Sequence, residues 1–185
     1  AKGLAKDAEY AVERVVTRVA KEVLPERPLL NEPFPRLTFA EALDRYGSDK
    51  PDIRFGMELT DLTDAIREVD FRVFTEPISA GGAVFGIVAP SVGDYSRKQL
   101  DELTDLAKRH GAKGLVHLSV QADGSLHGPA AKFLEGRETS LLAATGAGPG
   151  DLVLIVADAD RTAAAEAIGH VRLEMGDRLG ERRPG

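Results

Sequence analysis

The residues able to carry chemistry in this chain are few, and most of them stand in patterns that argue against catalysis. The four histidines, His110, His117, His127 and His170, show no metal-ligand spacing such as His-Glu-x-x-His, and no Gly-x-Ser-x-Gly elbow supplies a nucleophile. They read as surface or capping histidines. With no cysteine there is no disulfide framework, no thiolate zinc site and no thiol nucleophile. The glycine-rich run Gly146 to Gly150 has the composition of a phosphate loop. It precedes an apolar strand instead of joining a strand to a helix, and no Gly-Lys-Ser/Thr follows, so it is expected to be a turn. Asp158 and Asp160 stand just before a helical pattern, where they suit N-caps better than a paired acid and base. No residue is therefore assigned as catalytic and none as a metal ligand.

Charge leaves two places where a polyanion could be met. The net charge of -6 opposes free-standing, sequence-independent nucleic-acid binding, which draws its affinity from Lys and Arg displacing counterions. Only residues 96–137 are mildly basic. There Arg97, Lys98, Lys108, Arg109, Lys113, Lys132 and Arg137 form the plausible face for RNA, with a solvated helix surface as the other reading. The second place is the polar run Gly47, Ser48, Asp49, Lys50, Pro51 and Asp52, followed by Arg54. Asp49 and Asp52 around Lys50 can form a local charge network, Pro51 stiffens the loop, and Gly47 permits a backbone closed to other residues. Alternatively Lys50 and Arg54 hold a phosphate. Both readings stand at this level.

The elements that must position these groups can be traced by periodicity. Over residues 7–24, Ala8, Val12, Val15, Val16, Val19 and Val23 recur at helical spacing between charged residues, and Pro25 and Pro28 stop that helix. Leu37 to Phe39 suit a short strand, Ala40 to Tyr46 a helical turn or two ended by Gly47, and Thr60 to Ile66 a short capped helix. Phe71, Val73 and Phe74 predict a strand, and Ala83 to Ala89 a second. Ser96 with Gln99 is a capping box, Leu100, Leu103, Leu106 and Ala107 are the buried stripe that follows, and Gly111 closes the helix. Leu115 to Val120 is a strand, reversed by Asp123 and Gly124 into a partner at Ser125 to His127. A helix is expected over 130–145, an apolar strand over Leu152 to Ala157, and a long helix in which Ala163, Ala164, Ala167, Ile168, Val171, Met175 and Leu179 recur.

That order predicts an α+β fold, an antiparallel sheet with helices packed on one face. The two long outer helices lie outside the sheet-forming region, and their apolar stripes are expected to face something else. No stretch approaches the roughly 18 consecutive apolar residues of a membrane span, and no basic-then-apolar leader opens the sequence, so a cytoplasmic location without membrane contact is expected.

One pattern goes further. The segments Pro33 to Ala42 (PFPRLTFAEA) and Arg45 to Arg54 (RYGSDKPDIR) closely resemble a stretch of bacterial aspartyl-tRNA synthetases. The similarity continues in order through Gly56 to Leu59, Phe71 to Phe74, Ser96 to Leu100, Ala112 to Leu115, Gly128 to Leu134, Pro149 to Asp151, Ala167 to Glu174 and Arg178 to Gly180. Residues 1–10 do not match, and the spacing between the glycine-rich stretch Gly81 to Gly86 and Ser96 is individual. The resemblance implies a GAD (DCoH-like) insertion domain over 55–160, a flank at 1–54 from an incomplete class II catalytic domain, and a helix at 161–185 returning towards it. It also implies a parent enzyme that charges tRNA with aspartate using ATP and Mg, works as a homodimer, and keeps its class II motifs outside this segment. The segment alone is then expected to be inactive and to need no cofactor, and its insertion to position the tRNA acceptor arm. A non-catalytic adaptor, or a docking module like that of a tRNA-dependent amidotransferase, is the alternative.

Overall fold

The computed structural model describes residues 2–27 and 29–180, with side chains from residue 8 onward. It divides into two compact units between Thr38 and Phe39.

The first unit is α1 (Lys2–Val23) and the segment after it. Glu13 accepts hydrogen bonds from the Phe34 amide at 2.6 Å and from Arg36 at 3.0 Å, while Lys21 pairs with Glu32 at 2.7 Å. These charges hold the proline-rich segment against one side of α1. The valine stripe is left open: Val12, Val15 and Val23 are 62%, 62% and 68% exposed.

The second unit is built on a five-stranded sheet of order β1-β2-β5-β3-β4, antiparallel at every pairing. Its strands are β1 (Thr60–Asp61), β2 (Ala83–Ala89), β3 (Val116–Val120), β4 (Leu126–His127) and β5 (Leu152–Asp158). Its helices are α2 (Phe39–Tyr46), α3 (Arg72–Ser79), α4 (Arg97–Arg109), α5 (Glu138–Thr145) and α6 (Arg161–Arg178), with a 3-10 turn at Ala131–Phe133. Strands β2 and β3 flank β5 and run the same way, so α4 is the crossover that carries the chain past the central strand.

Helices cover both faces of this sheet, which corrects the expectation of one. Phe85, Ile87, Leu154 and Val156 pack with Leu103 and Ala107 of α4 and with Ala164, Ile168, Val171 and Met175 of α6. Val84, Leu118, Val153 and Ile155 pack on the other side with Leu62, Ile66, Phe74 of α3, Leu134 and Leu141 of α5. The physical reason lies in β2 and β5, whose unbroken apolar runs leave neither face fit for water.

Four local expectations are also corrected. Phe71, Val73 and Phe74 do not form a strand, because Phe71 caps α3 and the buried Phe74 and Pro77 recur at helical spacing, with Arg72 and Glu76 paired one turn apart. Thr60 opens β1 instead of a helix, pairing with Gly86, and the Thr63 hydroxyl accepts from the Val84 amide at 3.0 Å. Residues 37 and 38 are not a strand, and Phe39 begins α2. The helix expected over 130–145 is split into the 3-10 turn and α5 by an intervening turn in which Gly136 has φ of 77°.

The capping box of α4 is present, with the Gln99 side chain accepting from the Ser96 amide at 3.0 Å. Asp160 caps α6 through the amides of Thr162 and Ala163. The last helix is not an outlying element: nine of its residues are buried, and it packs on β2, β5, α2 and α4. Compactness thus places α2 and α6 in one unit with the sheet. No helix among the described residues is long and apolar enough to cross a membrane.

Candidate functional site

Strand β3 alternates between apolar and polar side chains, and that alternation lines a concavity of the second unit with polar groups. Leu118 and Val120 are buried in the α3 and α5 face, while His117 and Ser119 point to the α4 and α6 face. Ser119 is paired across the hairpin with His127, which places all three polar side chains on one side. The helices on this face pack over β2 and β5, so the β3-β4 edge stays open. The first turns of α4, with Arg97, Leu100 and Asp101, stand opposite it, and Gly93, Tyr95 and Pro129 complete the lining of a groove of about 500 Å³.

The electrostatics of the groove are mixed. Burial holds the half-buried His117 below the ordinary histidine range, with Asp101 opposing, so the ring is neutral near pH 7. The Ser119 hydroxyl donates to the His127 carbonyl at 3.3 Å and accepts from the Gln121 amide group at 3.0 Å. Arg97 stands 3.9 Å from Asp101 with its side chain 95% exposed, an open pair that contributes little to stability. Neither imidazole, of His117 or His127, makes a hydrogen bond among the described residues. Such an arrangement can donate to and accept from a planar polar ligand and can offer a cation at its mouth.

The basic residues singled out from sequence do not form one patch. Arg97 and Lys98 occupy the N-terminal turn of α4 and Lys108 and Arg109 its last turn, with Asp101, Glu102 and Asp105 between. The latter pair favourably complements the helix dipole, a structural role. Arg109 lines a shallow depression with Glu102, Asp105 and Glu174. Lys113 is exposed in the turn before β3. Lys132 lies on the opposite side of the sheet, its ammonium 4.9 Å from the Phe133 ring, which stacks on Phe71. Arg137 is paired with Glu68.

The loop from Gly47 to Asp52 is held from within. Ser48 accepts from the Lys50 amide at 3.1 Å, and Lys50 pairs with Asp49 at 2.9 Å, a contact that keeps the Asp49 carboxyl below its usual range. Arg54 pairs with Asp52 at 2.7 Å, and Pro51 lies between the two pairs. Gly47 has φ of 67°, and a Cβ there would stand 2.1 Å from the Ala165 carbonyl oxygen of α6. The organiser of this loop is a residue that sequence reasoning missed. Arg172 of α6 is fully buried and donates to the carbonyls of Asp52, Phe55, Gly56 and Met57 at 2.8–3.0 Å, with the Phe55 ring 4.1 Å from its guanidinium carbon.

His117, Ser119, His127 and Asp101 were missed as a set as well. Their signal is the polar and apolar alternation of Val116 to Val120, read together with the Asp123 and Gly124 turn that brings His127 back beside Ser119.

Comparison with known proteins places a family match inside the second unit, from α3 into α6. The GAD domain family matches residues 74–168. The chain is 50% identical over 175 residues to an aspartate–tRNA(Asp/Asn) ligase of Moorella thermoacetica, covering 94% of the chain and 28% of the relative. It is 46% identical over 170 residues to the corresponding ligase of Rubrobacter xylanophilus, covering 91% and 28%. The Symbiobacterium thermophilum ligase is 47% identical over 180 residues, covering 97% of the chain and 30% of the relative. The chain thus spans less than a third of the length of the curated relatives it matches. The chain is a member of the GAD domain family, matched over 74–168, and the segment it represents is similar to the GAD-containing part of bacterial aspartate–tRNA ligases.

Proposed function

We propose that this chain is the GAD-bearing module of an ATP-dependent aspartate–tRNA ligase and that it assists in positioning the tRNA acceptor arm without making or breaking bonds itself. The observation that carries this reading is the 50% identity to a relative named as such a ligase, sustained over 94% of the chain. In that parent, residues 1–54 and 161–185 are the flanks that join an inserted domain at 55–160 to the catalytic body. ATP, Mg and the aspartate belong to that body, and the parent works in the cytoplasm as a homodimer. Arg97 and Lys98 at the mouth of the groove, with Lys50 and Arg54 on the structured loop, are the cations offered to phosphates; Lys108, Arg109, Lys113 and Lys132 lie elsewhere on the unit and add only to the long-range field.

Titration of the chain with aspartate tRNA at low and high salt tests this. Binding should be weak and salt-sensitive, and Arg97→Ala and Lys98→Ala should each lower the salt slope by about one. Salt-independent or absent binding would sink the reading. Mixed with ATP, Mg, aspartate and tRNA, the chain alone should form no aspartyl-tRNA.

A second reading is favoured by the open valine stripe of α1, where Val12, Val15 and Val19 are 62%, 62% and 53% exposed. In it the chain is a non-catalytic adaptor or amidotransferase-like docking module. Saturable binding to a protein, with none to tRNA, would select it.

A further inference from the structure

We infer that the groove between α4 and the β3-β4 edge seats one unpaired nucleotide, whose base carries an exocyclic amino group. The inference deepens the RNA reading above and rests on it only for the source of the nucleotide. Its volume of about 500 Å³ lies within the range of small-molecule sites and exceeds what a single nucleotide needs.

The chemistry of the walls selects the ligand. The two imidazoles, His117 and His127, make no hydrogen bond among the described residues, so each offers a free ring nitrogen to whatever enters. The neutral His117 imidazole presents one donor and one acceptor, the alternation found along the edge of a nucleobase. Asp101 adds a carboxylate that can only accept, so it favours cytosine, adenine or guanine, each of which bears an amino donor, over uracil. At the mouth, the exposed guanidinium of Arg97 is free to leave Asp101 at 3.9 Å for a phosphate oxygen.

Other ligand classes fit less well. A carboxylate-bearing ligand would be repelled by Asp101, and an apolar one would leave both imidazoles facing it without hydrogen-bond partners. A nucleotide satisfies the carboxylate acceptor, the two unbonded imidazoles and the cation together.

The test uses the whole chain, with tricytidylate and triuridylate as probes and aspartate tRNA beside them, followed by amide and imidazole chemical shifts. Tricytidylate should move the signals of His117, Ser119 and His127 and bind about tenfold tighter than triuridylate. Asp101→Asn, an exposed change that leaves the fold alone, should erase that difference, and Arg97→Ala should weaken both probes alike. Equal affinity for the two probes, shifts confined to other surfaces, or discrimination that survives Asp101→Asn would each overturn the inference. The tRNA arm separates the two claims. If tRNA binds and its binding ignores Asp101→Asn and His117→Ala, the groove inference fails while the positioning role stands. If tRNA does not bind but tricytidylate shifts the groove selectively, the positioning role fails and the nucleotide site stands.

Discussion

The two longest helices of the molecule carry similar stripes and meet opposite fates. Helix α6, of 18 residues, buries nine of them, including Gly169, Arg172 and Gly176. Helix α1, of 22 residues, leaves Val12, Val15, Val16, Val19 and Val23 between 46% and 68% exposed. Residue size separates them. The buried face of α6 sets alanines and glycines beside Ile168, Val171 and Met175, and at its small residues backbone can approach backbone: a Cβ on Gly169 would meet the Gly47 and Tyr46 carbonyl oxygens at 2.8 and 2.9 Å. The stripe of α1 is valine, whose branched side chains hold any neighbour at a distance. A small-residue stripe therefore reports close packing within the unit, and a valine stripe reports only that an apolar face exists.

The largest effect should come from filling the close approach. Gly169→Leu would drive a side chain into backbone that cannot retreat, and Gly47→Val would add strain from a φ of 67° to a contact of 2.1 Å. Each should lower stability by more than about 4 kcal/mol, read as loss of the cooperative thermal transition. A variant that melts like the parent would show that α6 does not need contact with the end of α2. Next in size is Arg172→Met, which keeps the volume but strips the loop carbonyls of Asp52, Phe55, Gly56 and Met57 of their shared donor. A loss of about 3 kcal/mol is expected, with protease cutting appearing first within 47–58.

These same positions mark how far the sequence could be read. Helix α4 with its capping box, strands β2 and β5, the Asp123-Gly124 turn and the helical character of α6 were all legible, because each rests on local periodicity or a local hydrogen bond. The resemblance of the segments around the 45–54 loop and 167–174 to bacterial synthetases was legible too, and the 50% identity to a relative over 94% of the chain agrees with it. The two-sided sheet was not. Apolar runs in β2 and β5 contained that information, but the second cover comes from residues 62–74 and 130–141, where turns and a broken helix blur any period. Arg172 was invisible for a different reason. Arginine is seldom fully buried, and here its acceptors lie 115 to 120 residues away along the chain. Among the candidate site residues, Arg97 reached the groove, while His117, Ser119 and His127 needed the strand register to bring them together.

A smaller effect should follow pH, again on the α6 side of the comparison. The rings of His110 and His170 stack at 3.5 Å. Burial first, and then the neighbouring His110, hold His170 below its ordinary value of 6.5, with Glu166 pulling the other way. The folded state binds this proton less readily than the unfolded chain. Its contribution to stability is therefore complete above pH 6.5 and lost as the pH falls from there through the depressed folded value, a direction shared by His117. Melting temperature against pH should decline over that window, and His170→Gln should flatten the decline. An unchanged profile in the variant would assign the acid sensitivity to His117 or to the carboxylates.

The smallest effect is expected on α1, and it is the one that most sharpens the contrast. Val15→Lys and Val19→Lys place charge on residues already 62% and 53% exposed. Neither removes a buried contact of the second unit, so each should change stability by no more than about 0.5 kcal/mol while raising the concentration at which the chain stays monodisperse. The pair also separates helix propensity from packing, since lysine is the better helix former and should strengthen α1 slightly in circular dichroism. A stability loss like that of the α6 variants would mean that the valine stripe is packed in solution, and the division drawn between the two helices would fall.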